Sequence, residues 1–229
     1  MAVLAPNNII LYAFFPFLSK KPQPPPASQP DAPQAPQDEA EECGTLRLRL
    51  ALYKRIIERY KELIETSEFK SIPELRSLVT PDDKTVIQVR DGLIAEFRPY
   101  IYDRDFLKAA EKAYEFCRTE IKNEFLPVDF WLSPEDIMQL KAADEMDKAI
   151  FLCSLLLSLE DSTAKVVVIA EERMRHAVVT FEQKGKFYLL DPVHELFVSG
   201  KKEEIVEAYI TKGSARQVYE FNNLEYNEW

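Results

Sequence analysis

The residues of this chain that could do chemistry together are few, and they fall at element ends. His176 opens the run HAVVTFE, and Asp191 closes the run KFYLLD, with Lys184-Gly185 between the two. Folding that hairpin brings His176 and Asp191 within a residue or two of direct opposition, where an imidazole can meet a carboxylate. Asp144-Glu145 stand at the start of a long apolar helix. A helix N-terminus aimed at a His/Asp pair suits a cysteine acyl-transfer site, because the helix dipole and an imidazolium together stabilise a thiolate. No cysteine stands there. Cys153 lies eight residues past Glu145, about 12 Å further along the helix axis.

Other chemistries are unsupported. With Gly 5 in the whole chain there is no phosphate loop or dinucleotide fingerprint, and neither H-E-x-x-H nor G-x-S-x-G occurs. The net charge of −10 argues against nucleic acid as a partner, since phosphate binding needs clustered cations. Cys43, Cys117 and Cys153 are odd in number and widely spaced, without C-x-x-C or zinc spacing. A reducing, cytoplasmic setting is expected, with no disulfide framework and no cofactor.

The elements that must position these residues follow from periodicity. Leu46, Leu50, Tyr53, Ile57, Tyr60 and Ile64 recur at helical steps, although Leu46 to Leu50 also permits a short strand. Thr80-Pro81-Asp82-Asp83 signals a helix start, and Asp103 or Asp105 another, whose face carries Phe106, Ala110, Ala113, Cys117 and Ile121. Cys117 is therefore read as core. Trp131, Phe130, Phe125 and Val128 are expected to be core at the next helix entry. Ser133-Pro134-Glu135-Asp136 forms a capping-box-like start, and Asp144 caps a helix that is apolar nearly all round, hence central and buried. Then the period changes. Lys165–Ala170, His176–Glu182 and Lys186–Asp191 read as strands of an antiparallel meander. Ser199-Gly200 leads to a short helix over Glu203 to Tyr209, and Arg216 to Phe221 reads as an edge strand. The fold class expected is α+β, a central buried helix packed on an antiparallel sheet behind an N-terminal helical part.

The chemical blocks, Ala143-Asp144-Glu145-Met146-Asp147-Lys148-Ala149, then His176-Ala177-Val178-Val179 and Tyr188-Leu189-Leu190-Asp191-Pro192, resemble the transglutaminase-like family of the papain-like cysteine enzymes. They are similar to its G-D-C-x-D-K-A, H-A-W/F-V and Y-x-L-D-P blocks. The likeness covers about residues 130–193. It implies the family's helix-on-antiparallel-sheet fold and places the family's His and Asp on His176 and Asp191, but its nucleophilic Cys on Glu145. A carboxylate of ordinary pKa about 4.3 is a poor nucleophile toward an amide. The implied site is a pseudo-site of Glu145, His176 and Asp191, with no catalytic residue and no metal assigned. The bland explanation of Glu145 is an acid favoured in the first turn by the helix dipole. Glu171, Glu172, Arg173 and Arg175 read as a solvated loop before His176, or as a gate over it.

The N-terminal part has another character. Residues 22–42 hold seven prolines and no aliphatic side chain larger than Ala, which suits an extended, disordered tether. Residues 1–21 carry an apolar stretch too short and interrupted for a membrane span. Within it Asn8, Leu11, Phe14 and Phe15 have a spacing similar to a sliding-clamp-binding box, with Asn8 where Gln is usual. An unidentified protein partner docking through residues 8–18 and contact with a membrane surface are the two uses such a segment suits. The domain from 43 to 229 is then expected to be a non-catalytic binding or scaffold module. The rivals are a hydrolase or metal-dependent enzyme reusing the Glu145/His176/Asp191 cleft, with His194 and Glu195 as further candidates there, and a membrane-associated accessory protein.

Overall fold

The computed structural model describes residues 37–126, 128, 130–170, 175–210 and 217–229, with backbone alone for 37–42. Asn8, Leu11, Phe14 and Phe15, the tether up to residue 36, and Glu171, Glu172 and Arg173 lie outside them. The chain divides into two units, Met1–Leu50 and Ala51–Trp229. Of the first, the described part is the start of α1 (Gln37–Ser67), so helix takes in residues 37–42 of the run expected to be an extended tether. Pro36 is the last proline of that run; beyond it nothing bars helical hydrogen bonds. The strand option at Leu46 to Leu50 is not taken.

In the second unit α1 continues to Ser67 and is followed by α2 (Ile72–Ser77), α3 (Lys84–Leu93) and α4 (Tyr102–Thr119). The cap of α3 is Asp83 rather than Thr80, its carboxylate accepting from the Thr85 and Val86 N–H groups. The start of α4 is held by Asp105, which accepts from the Ile101 N–H at 2.9 Å. The α4 face read from the sequence is buried as expected, with Phe106, Ala110, Ala113, Cys117 and Ile121 at 0% exposure. Two residues depart from expectation: Phe125 and Phe130 are exposed, at 92% and 44%. Both precede the cap of α5 on irregular chain, while Trp131, half-buried, anchors the segment by donating Nε1–H to the Glu68 carbonyl at 2.9 Å.

A two-residue parallel pairing of β1 (Lys122–Asn123) with β2 (Ala142–Ala143) brackets α5 (Pro134–Leu140). Ser133 caps α5 in the expected capping box. Then comes α6 (Glu145–Ser158), capped by Asp144, which accepts the Asp147 N–H at 2.8 Å. From Asp147 to Leu156 every side chain of α6 is buried.

Four strands follow, β3 (Lys165–Ala170), β4 (Arg175–Gln183), β5 (Lys186–Asp191) and β6 (Leu196–Gly200), then α7 (Lys202–Ile205), a π-helical turn Val206–Ile210, β7 (Gln217–Phe221) and β8 (Tyr226–Glu228). They form a six-stranded sheet in the order β6-β5-β4-β3-β7-β8, antiparallel throughout. The β4–β5 turn is the tight one read from the sequence: Gln183 faces Lys186, and Lys184 and Gly185 both have positive φ, 50° and 73°, the backbone of a type I′ turn. Alternation splits the sheet residues into two apolar faces. One, with Val166, Val168, Ala177, Val179, Phe181, Tyr188 and Leu190, joins α3, α4 and α6 in the main core. The other, with Val167, Ile169, Val178 and Leu189, packs under Ile205 and Ile210. The chain is α+β, as expected. Segment 216–221 was expected at an edge, but β7 lies between β3 and β8. Among the described residues no helix is long and apolar enough to cross a membrane.

Candidate functional site

Three elements end at one place. The β4–β5 pairing stops at Val179 and Leu190, so Asp191 lies beside Val178, two residues from His176 and, by strand alternation, on the same face. Pro192 follows and can donate no ladder hydrogen bond. Beyond that stop the Ala177 N–H donates instead to Glu145 Oε1, at 2.8 Å, which ties the first turn of α6 to β4. The same Glu145 oxygen meets Nδ1 of His176. Nε2 of His176 stands 3.1 Å from Asp191 Oδ2. Glu145, His176 and Asp191 are therefore brought together.

His176 thus has a carboxylate at each ring nitrogen. A neutral imidazole carries one N–H and can satisfy only one of them. The charged ring satisfies both, and its pKa is raised to about 9 by the hydrogen bond to Asp191 and then by that to Glu145, against the opposing effect of burial. Asp191 is nearly inaccessible, its side chain 3% exposed. Burial alone would raise its pKa, but the hydrogen bonds from His176 and from the backbone N–H groups of His194 and Val193 hold it below the ordinary carboxylate range.

His194 joins the group through a local turn. Asp191 Oδ1 accepts the Val193 and His194 N–H groups, each at 2.9 Å, an Asx-type turn that folds the chain back on itself. The His194 ring then lies with Nδ1 3.0 Å from Asp191 Oδ2 and its centroid 5.0 Å from that of His176. Glu195, the other acid considered for the cleft, pairs with Arg118.

The thiols are elsewhere. Cys117 and Cys153 are both at 0% exposure, and burial pushes the Cys117 thiol up to about 12 and raises that of Cys153 too. Neither is a nucleophile at neutral pH.

Two further ionisable residues of the same helix turn belong to the block quoted from the sequence, but nothing in the sequence showed that they are buried. Lys148 is buried, its pKa lowered chiefly by desolvation, with the Asp191 carboxylate acting in the opposite sense. Asp147 is also buried, its carboxylate 3.3 Å from the Leu132 N–H, and its pKa is raised to about 8 by desolvation and by neighbouring Asp144. A folded-state pKa above the unfolded value means the folded chain binds the extra proton, so stability falls as pH rises from about 4 to about 8. Asp147→Asn is expected to remove that slope and to raise stability at pH 8 by on the order of 3 kcal/mol. Urea unfolding at pH 5 and pH 8 checks this; equal losses at both would sink it.

No family model matches the sequence, and the comparison with curated proteins finds no match. Among solved structures the chain is similar to calcium-bound Legionella pneumophila LapG, at 16% identity and TM-score 0.46, covering 74% of this chain and 86% of that one. The EGTA-treated form of the same protein gives 16% and 0.46, over 76% of this chain and 85% of that one.

Proposed function

We propose that this chain carries a transglutaminase-like domain that has lost thiol chemistry and serves as a binding or scaffold module. The observation behind this reading is that a carboxylate, Glu145, fills the helix-start position facing Nδ1 of His176, while both buried thiols lie in the core. Attack by Glu145 on an amide would give an anhydride, and its oxygen is already engaged by His176 and the Ala177 N–H. The three residues instead fasten the helix start to the hairpin. The apolar segment at residues 8–18, with Asn8, Leu11, Phe14 and Phe15, recruits the partner on its tether.

The expected result is that the full chain incorporates no amine into a glutamine peptide and cleaves no thiol-protease substrate, before or after treatment with iodoacetamide. Turnover abolished by alkylation would overturn the reading. Affinity capture with the full chain, beside a chain starting at Gln37, locates the partner surface: a partner retained equally by both would remove the docking role from residues 8–18.

A further inference from the structure

The whole chain contains two histidines, His176 and His194, and both stand in one cleft with their rings 5.0 Å apart. Asp191 Oδ2 takes one nitrogen of each ring: Nε2 of His176 at 3.1 Å and Nδ1 of His194 at 3.0 Å. Each ring therefore has its other nitrogen turned away from the buried acid. A carboxylate holding the far nitrogen is how proteins fix the tautomer and orientation of a metal-ligating histidine, because the near nitrogen is then left as the lone-pair donor. Here one acid does so for two rings. The third donor is Glu145, whose carboxylate already reaches His176.

We infer that Glu145, His176 and His194 form a site for one divalent transition cation of the zinc class. Each of the three residues offers one nitrogen or oxygen that lies within 4.8 Å of the other two. A tetrahedral cation bonded at about 2.1 Å holds its ligands about 3.4 Å apart, so closing the set needs a small side-chain movement and no change of fold. Two imidazoles and one carboxylate suit Zn²⁺, Co²⁺ or Fe²⁺ better than Mg²⁺ or Ca²⁺, which prefer all-oxygen shells. Three protein ligands leave a fourth position, and the exposure of His194, 62% at its side chain, opens that position to water or to a ligand group. The cation takes the place of the proton between Glu145 and His176, so binding releases it to solvent. This inference rests on the reading that Glu145 occupies the former nucleophile position; it adds that the substitution exchanges a thiol for a metal ligand.

The test is titration of the tag-free full chain with Zn²⁺ against a chromophoric chelator, repeated with Co²⁺ to record visible absorption. One cation per chain is expected, with a Co²⁺ spectrum of low coordination number. His194→Ala is expected to weaken binding at least about 10-fold, and Glu145→Gln to do the same. His194→Ala removes one of the four hydrogen bonds on Asp191, a loss of about 1 kcal/mol or about 2–4 °C in the metal-free melting midpoint, so a folded variant that binds poorly separates a lost ligand from a lost fold. Absence of saturable binding, or binding that neither variant weakens, would overturn the site. The amine-incorporation assay is independent of this titration, so an inactive chain that binds no zinc rejects the metal site and leaves the non-catalytic reading standing.

Discussion

Asp191→Ala is expected to lower the stability of the domain by about 3 kcal/mol, the largest loss from any single side chain of the cleft. The reason is the number of donors that converge on one buried carboxylate: Val193 N–H and His194 N–H on Oδ1, and His176 Nε2 with His194 Nδ1 on Oδ2. Removing one partner of a buried pair leaves the other charge uncompensated, which costs roughly 3–5 kcal/mol. The lower end applies because His176 is about a third exposed and His194 more so, and water replaces part of what they lose. In a domain of this size each kcal/mol moves the midpoint by about 2–4 °C, so a fall of roughly 6–12 °C should appear in a thermal melt at pH 7. A change below about 2 °C would show that the convergence on Asp191 is not structural.

Much of this site was legible in the sequence because its parts are local. The Lys184-Gly185 turn sets the β4–β5 register, and the register sets which residues lie near His176. Asp144 could be read as a cap because a short acceptor before an apolar helix has few other uses. The helix-and-sheet arrangement followed from the change of period after Leu159. What could not be read depends on contacts distant in the chain. β7 lies inside the sheet because β8 pairs with it through Tyr219, Glu220 and Phe221, and three residues of strand at a chain end give no periodic signal. β6 was read as a lead-in to helix because Ser199 and Gly200 suggest a turn, yet β5 pairs with it across all five of its residues. Lys148 and Asp147 were legible as members of the block at the start of α6; only packing shows them buried. His194 was visible as a neighbour, but its place in the cleft depends on the turn made by the Asp191 side chain.

A second expectation concerns chemistry: Glu145→Cys should create a thiol that reacts with iodoacetamide at pH 6 about 10-fold faster than an ordinary exposed cysteine. The position lies at a helix N-terminus beside Nδ1 of His176, where a thiol pKa near 5.5 lies within the range such sites give, about 3.5–7.5. At pH 6 that raises the thiolate fraction about 200-fold over a thiol of pKa about 8.5. The weaker nucleophilicity of a less basic thiolate, at a Brønsted slope of about 0.4–0.5, takes back about 20-fold. The remaining gain is what mass spectrometry of the alkylated peptide should record, with the Cys43 peptide as internal standard. Reaction no faster than at Cys43 would mean that the start of α6 does not occupy a nucleophile's place.

Held between Glu145 and Asp191, His176 is expected to be an imidazolium that locks the start of α6 to the hairpin. Titration of the two histidine rings by nitrogen-detected NMR, with a chelator present, tests it directly. His176 is expected to keep both ring protons through neutral pH and to titrate near 9. Its contribution to stability is then fully present below about pH 6.5 and is lost as pH rises through about 9. A His176 that titrates at or below its ordinary value near 6.5, with one neutral tautomer at pH 7.5, would show that the two carboxylates do not hold an imidazolium there.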